Sequence, residues 1–334
     1  MQVVHNQLNY FNNVLGGSIS SFEGDRILQY DNEKGTGRIQ TVALESGISY
    51  TEYDLSLAQD FNFSLEMNGH RCLYFIYCLE GDFTVQRNYG TTKSLKVEAL
   101  QTVLIGGKND TIDIKLKEGT KSNIAIIRVS EDDAPKIQGE KGSDLYQQLF
   151  SSFLQEDSYE HIGTFNLKIK EQLLQIRSIH QKGLVRKLLI DGIVSFTLAL
   201  EILQCREDIN NEGQVSTILT KSELLRIEEA VNAIKRKPEY PYTVTYLSRE
   251  YGLSPTKLQE GFKVMEGTTV TNFIRNERLV LAEELIQTSD LNISEIVYTI
   301  GFTSRSYFSK IFRNRFNCTP KTYLMNTRKV SLSA

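Results

Sequence analysis

A pattern written twice near the C-terminus constrains this chain more than any other feature of it. The first copy, Tyr246–Phe273, reads YLSREYGLSPTKLQEGFKVMEGTTVTNF, and the second, Glu295–Tyr323, reads EIVYTIGFTSRSYFSKIFRNRFNCTPKTY. At an offset of fifty, Ser254 falls on Ser304, Leu258 on Phe308, Phe262 on Phe312, Gly267 on Asn317, Thr269 on Thr319 and Phe273 on Tyr323. Gly252 and Gly301 align at forty-nine, because the second copy holds one more residue in its turn. Each copy has the apolar spacing of helix, tight glycine turn, helix.

Two helix-turn-helix units in series imply two helices placed to read DNA side by side. At 334 residues the chain is long enough for further domains. Charge divides along it: residues 221–334 carry 17 Lys and Arg against 12 Asp and Glu, and the remainder 21 against 29. A basic tail on an acidic body suits a polyanion-binding module joined to something that binds no polyanion. No stretch approaches eighteen consecutive apolar residues, and MQVVHNQLNYFNN lacks the basic-then-apolar order of a signal peptide. A cytoplasmic protein without membrane contact is therefore expected. Cys72, Cys78, Cys205 and Cys318 form no CxxC pair and read as small buried hydrophobes in a reducing compartment; a redox-sensing pair is the alternative. Cys72 and Cys78 have the same parity, so one continuous strand would put both on one face.

From about residue 25 to 130 the chain reads as short strands between Gly, Asn and Asp turns. Two hairpins are expected, one around Glu80-Gly81-Asp82 and one around Glu118-Gly119-Thr120. Beyond residue 140 the period becomes helical, through Leu145, Leu149, Phe150, Phe153 and Leu154, then Asn166–His180, then LVRKLLIDGIVSFTLALEILQ within Gly183–Cys205. That last helix is apolar over so much of its circumference that it must be covered, by its own sandwich, by a second copy, or by both. The polar run Glu207–Gly213 marks a linker, and Lys221–Lys237 an amphipathic helix with Leu224, Leu225, Ile227, Val231 and Ile234 as its apolar set, ended by Pro238 and Pro241. The expected fold is thus α+β and multidomain: a β-sandwich or barrel of cupin-like kind over 1–140, a helical linker and dimerisation segment over 141–213, and an all-α double helix-turn-helix domain over 214–334.

In the first unit, Ser254 is the natural N-cap with Pro255 at the first helical position, and Leu258, Phe262 and Met265 face inward. Thr256, Lys257, Gln259, Glu260 and Lys263 are then left to face DNA. In the second unit, Ser294 is expected to cap the first helix and Ser304 or Thr303 the next. Phe308, Ile311, Phe312 and Phe316 turn inward, and Arg305, Ser306, Ser309, Lys310 and Arg313 outward. Arg and Lys donate to guanine O6 and N7, Gln pairs with adenine, Glu accepts from cytosine N4, and serines allow close approach. Thr269–Thr288 reads as a helix of roughly 30 Å at 1.5 Å per residue, close to the spacing of successive major-groove faces.

ISEIVYTIGFTSRSYFSKIFRNRFNCTPKTY resembles the signature of AraC-type transcription regulators, through Ile293-x-x-Ile296, Gly301-Phe302, Ser306-Tyr307-Phe308-Ser309, Phe312, and Thr319-Pro320 before Tyr323. The resemblance covers about residues 221–326. It implies base contacts at Thr256, Gln259 and Glu260 in the first unit and at Arg305, Ser306 and Lys310 in the second. It also implies an activator rather than a repressor, with RNA polymerase as a partner. Three residues depart from the pattern: Val297 replaces alanine, Asn317 replaces glycine, and Gly261 sits inside the first reading helix, where glycine costs about 1 kcal/mol relative to alanine.

The front half, HRCLYFIYCLEGDFTVQR with the later GLVRKLLIDG helix, is similar to regulators of the pyochelin-receptor type, which would imply an iron-siderophore or similar small organic effector. Tyr74, Tyr77 and Phe83, with Phe75 and Tyr89, are candidates to line its pocket or simply to form core. No HxH pair, GxSxG or GxxxxGK[ST] occurs, so neither metal, nucleophilic nor phosphate-loop chemistry is indicated and no cofactor is expected. The expected partners are double-stranded DNA, a second copy of the chain, a small-molecule effector of unknown identity, and RNA polymerase. The competing readings are a protein-binding adaptor with degenerate repeats and a cupin-like enzyme with a DNA-binding tail.

Overall fold

A computed structural model describes residues 2–22, 24–44, 47–67, 69–88, 94–131, 141–153, 158–210 and 219–331. They fall into two units, Met1–Gln214 and Val215–Ala334. The first contains α1 (Gln2–Leu15), β1 (Ser18–Phe22), β2 (Asp25–Asn32), β3 (Gly35–Ala43), β4 (Ile48–Leu57), β5 (Phe61–Glu66), β6 (Cys72–Glu80), β7 (Asp82–Arg87), β8 (Ser94–Glu98), β9 (Thr102–Gly107), β10 (Thr111–Leu116), β11 (Lys121–Ser130), α2 (Lys141–Phe153), β12 (Ser158–Ile162), α3 (Leu167–Arg177) and α4 (Gly183–Asn210). The second contains α5 (Lys221–Arg236), α6 (Val244–Glu250), α7 (Pro255–Glu266), α8 (Val270–Thr288), α9 (Ile293–Thr299), α10 (Arg305–Phe316) and α11 (Pro320–Ser331).

The strands form an eight-stranded sheet in the order β1-β2-β3-β4-β11-β6-β9-β12 and a four-stranded sheet in the order β5-β10-β7-β8, with antiparallel pairing throughout. Leu28, Ile39, Tyr53, Tyr74, Ile76 and Ile126 of the larger sheet meet Phe63, Phe83, Val85 and Ile114 of the smaller one in a common core. The neighbours of opposite parity, Tyr50, Leu73, Phe75, Tyr77, Leu104, Ala125 and Ile127, form a second core with Phe150 and Phe153 of α2, Ile169 and Leu173 of α3, and Ile190, Val194 and Leu198 of α4. The larger sheet is therefore buried on both faces. This is why Cys72–Leu79 is an unbroken apolar run rather than an alternating one. Cys72 and Cys78 share the inner face, as their parity requires. Residues 141–213 accordingly count with the β-rich region in one unit, and that stretch also supplies an edge strand, β12.

The two expected hairpins do not form. β6 lies in the larger sheet and β7 in the smaller, and the same holds for β11 and β10. At Gly81 (φ 84°) the chain crosses from one sheet to the other, and a β-carbon there would lie 2.4 Å from the Lys121 carbonyl oxygen. A glycine turn between two strands reverses the chain, but it does not choose the strand partner. An N-terminal helix was not expected either: α1 lays Leu8, Phe11 and Leu15 on the inner core, with Phe11 5.1 Å from Phe63 ring to ring.

α4 buries Arg186, Ile190, Val194, Thr197, Leu198, Glu201 and Cys205 and leaves Leu184, Val185, Leu188, Leu189, Phe196 and Leu203 exposed. Among the described residues it is the one helix long and apolar enough to cross a membrane by length and composition. Counting consecutive apolar residues does not bring this out. Its buried Arg186 and Glu201 face the sheet side.

Candidate nucleic-acid interface

The second unit is built from caps and close helix contacts. Ser254 receives the Lys257 N–H at 3.2 Å, Pro255 occupies the first turn, and Gly267 ends α7 in the left-handed conformation (φ 67°). In the second repeat the cap of α9 is Asn292, not Ser294. Asn292 Oδ1 accepts from the Glu295 N–H at 3.0 Å, and Glu295 Oε2 accepts from the Asn292 N–H at 2.7 Å. This reciprocal box satisfies two orphan donors where a lone serine satisfies one. Ser304 caps α10, and Asn317 ends it at φ 57°, so asparagine serves there as glycine does in the first repeat.

Gly261 is buried, and a β-carbon on it would lie 2.1 Å from Ile227 Cδ1 of α5. Its cost in helix propensity is offset by the close approach of α5 to α7. Phe262 meets Phe273 of α8 at 5.4 Å. Val297 is fully buried with Ile296, Phe308 and Phe312 in the core of the second repeat, where Ile311 and Phe316 are partly buried. On α5, Leu224, Ile227, Val231 and Ile234 are buried as expected, and Leu225 is exposed.

The two reading helices differ sharply. Along α10, Arg305, Ser306, Lys310 and Arg313 are exposed and Ser309 is half-buried; they share one face, and the helix contains no carboxylate. Arg305 is steadied by a 3.0 Å hydrogen bond from Nη1 to Ser294 Oγ, and Ser294 itself lies inside α9, past the cap position. Of the five residues expected to read DNA from α7, only Thr256 and Lys263 are exposed. Lys257 pairs at 2.5 Å with Glu223, whose carboxyl is held below its ordinary value chiefly by that hydrogen bond. Gln259 Oε1 accepts from the Val270 N–H, the first of α8, at 3.2 Å. Glu260 Oε2 is buried without a hydrogen-bond partner. The helix is electrically balanced, with Lys257 and Lys263 against Glu260 and Glu266.

Arg278 joins the two repeats, a role nothing in the sequence signalled because an arginine on a helix ordinarily faces water. Its guanidinium donates to the carbonyls of Pro238, Tyr240 and Gly301, each at 2.9 Å, and lies 5.5 Å over the Phe302 ring. Gly301 is obligatory there, since a β-carbon would lie 2.7 Å from the Glu239 carbonyl oxygen and 3.1 Å from Arg278.

The expected pocket set of the first unit is not brought together. Tyr74 and Phe83 lie in the core between the sheets, whereas Tyr77 and Phe75 lie on the opposite face, among the helices. Tyr74 and Tyr77 are three apart on one strand and so must point to opposite sides. Their hydroxyls are engaged, Tyr74 on the Glu66 carbonyl at 2.9 Å and Tyr77 on that of Asn166 at 2.6 Å. Tyr89, Leu154 and the side chain of Leu145 lie outside the described residues. Among the described residues no group of three or more His, Cys, Asp or Glu side chains is placed to hold a metal ion.

Two capped helix-turn-helix units on a common helix define a tandem DNA-binding domain, and a family model described as a helix-turn-helix domain matches residues 247–326. The chain is 42% identical over 82 residues to histidine kinase P4 of Formosa agariphila (25% of this chain, 6% of that protein). It is 30% identical over 134 residues to the HTH-type transcriptional regulator AlkR of Acinetobacter baylyi (40% and 44%). The crystal structure of a transcriptional regulator with an AraC-type DNA-binding domain from Chromobacterium violaceum is 28% identical, covers 32% of this chain and 96% of its own, and has a TM-score of 0.30. The chain spans less than half the length of either curated relative.

Proposed function

We propose that this chain is a sequence-specific, effector-responsive DNA-binding transcription regulator that works in the cytoplasm, not an enzyme, and that it activates through RNA polymerase. The observation that carries this reading is the exposed, wholly cationic and small-residue face of α10. In it Arg305, Ser306, Ser309, Lys310 and Arg313 enter the major groove, with Lys310 and Arg305 donating to bases. On α7, Thr256 and Lys263 are free to touch DNA, while Lys257, Gln259 and Glu260 must leave internal positions to do so. The first repeat therefore acts mainly as a positioning element on phosphates. Selection of sites from random duplexes by the full chain, at near-physiological salt, tests this. Enrichment of one strong box with a weaker one about a helical turn, roughly 34 Å, away is the expected result. Two equal boxes would give α7 full reading power. No enrichment would leave the adaptor reading in first place.

The partner that fits α4 is a second copy of the chain. Its exposed residues Val185, Leu189, Gly192, Phe196, Ala199 and Leu203 recur at alternating steps of four and three, the spacing of a helix–helix seam. An antiparallel two-fold pairing sets Phe196 against Gly192 and Leu189 against Ala199, large against small, with Val185 against Leu203 at the ends. Among the described residues nothing lies within 4 Å of a β-carbon built on Gly192. A self-complementary patch of this kind is what a two-fold interface requires.

A further inference from the structure

A cavity of about 280 Å³ opens on the helix-covered face of the larger sheet, outside the sandwich interior and away from Tyr74 and Phe83. Its floor is the outward parity of β3 and β4, and its rim is the end of α3 and the first turn of α4. The volume lies just under the roughly 300–1,000 Å³ of drug-sized sites, so the occupant is small.

The polar groups in it are arranged by charge. Arg186, 6% exposed, donates from Nη2 to Asp25 and from Nη1 to the Ile179 carbonyl at 3.2 Å; its Nε is buried and has no acceptor. Arg177 pairs with Glu52, donating from Nε at 2.7 Å. Two groups facing the cavity remain without a full counter-charge. Arg38 donates only to the Gln40 amide oxygen at 2.8 Å, and Asp54 stands 3.6 Å from Arg177, whose closer partner is Glu52. Phe22, Ile27, Ile176 and Ile179 supply an apolar wall.

We infer that this cavity binds a small zwitterion, an apolar α-amino acid. Its carboxylate would take Arg38, its ammonium would take Asp54, and its side chain would lie on the isoleucines. With Asp25 counted, three arginines face three carboxylates, so a net-neutral ligand bearing both charges fits where a dianion would meet Glu52 and Asp54. Arg186 sits one residue from Val185 on the exposed face of α4, so an occupant would also fix the first turn of that helix. This consequence rests on the proposed effector-responsive reading; the binding itself does not.

Titration calorimetry on the full chain tests the site with L-leucine and L-phenylalanine, and with 3-phenylpropionate and phenethylamine, which each lack one charge. The amino acids should bind, and loss of either charge should weaken affinity about tenfold or more, the effect of one charge-assisted contact. The surface substitutions Arg38→Gln and Asp54→Asn should each do the same to L-phenylalanine; Arg38→Gln should leave phenethylamine unchanged, and Asp54→Asn should leave 3-phenylpropionate unchanged. No amino-acid binding up to about 10 mM overturns the proposal. So does 3-phenylpropionate binding as tightly as phenylalanine, or indifference to both substitutions. Binding that leaves DNA affinity unaltered would keep the site and remove its effector role.

Discussion

At Gly261 an added methyl has nowhere to go. Alanine would gain about 1 kcal/mol of helix propensity, yet its β-carbon would stand 2.1 Å from Ile227 Cδ1. Gly261→Ala should therefore destabilise the C-terminal unit, by about 1–3 kcal/mol for an overpacked contact. Ile227→Ala, which alone costs about 2–5 kcal/mol, should in the double variant cost visibly less than the sum. Denaturant unfolding of the four chains measures the coupling, and strict additivity would refute the contact. At Lys310 the question is chemical. Lys310→Ala should remove about 1–3 kcal/mol of discrimination between the selected site and its single-base variants, read by competition binding. Uniform weakening over all sequences would reassign Lys310 to a phosphate.

At the scale of elements, most of the C-terminal unit could be read from the chain because its signals are local: caps one turn away, apolar positions three and four apart, and left-handed ends at Gly267 and Asn317. What escaped there depends on neighbours distant in sequence. Gln259 reaches Val270, Lys257 reaches Glu223, and Arg278 reaches Pro238 and Gly301, so the outward face of α7 is less available than its spacing promised. In the first unit the strands were legible and their partners were not. Which sheet β7 joins is decided by burial on both sides of β6, far from the turn at Gly81. The wide apolar surface of α4 was legible too, and the structure divides it into a buried and an exposed half. Phe196→Asp on the exposed half should convert the full chain from dimer to monomer in sedimentation at micromolar concentration without altering its circular dichroism. A chain that is monomeric before the substitution would exclude the second copy, and partition of the unsubstituted chain into lipid vesicles would point to a bilayer instead.

For the whole molecule, two units mean two unfolding transitions, and pH should separate them. Glu201 is fully buried on α4, and burial, opposed only by a hydrogen bond from Thr102, pushes its pKa up to about 8. The folded value lies above the unfolded one of about 4.3, so the native unit keeps a proton that the unfolded chain releases. Stability is then complete below the unfolded value, falls as pH rises toward 8, and levels off beyond it. Asp208, whose burial is outweighed by hydrogen bonds from His161, Thr164 and Gln204, is lowered and acts below that window. Calorimetry between pH 5 and 8, taken as about the span of that linkage, should move the N-terminal transition, and Glu201→Gln should flatten that movement; equal movement in the variant would assign the slope to another group. The two-sided burial of the larger sheet also has a temporal side. β4 pairs with β11 across a gap that sets Ser56 against Lys121, and the helix that covers their outer face ends only at Asn210. On the ribosome, seven of the eight strands of that sheet are made before any of its helical cover exists. A half-finished chain shows an oily sheet to the cytosol until α4 emerges, and nascent chains halted before residue 183 should be the form that chaperones hold longest.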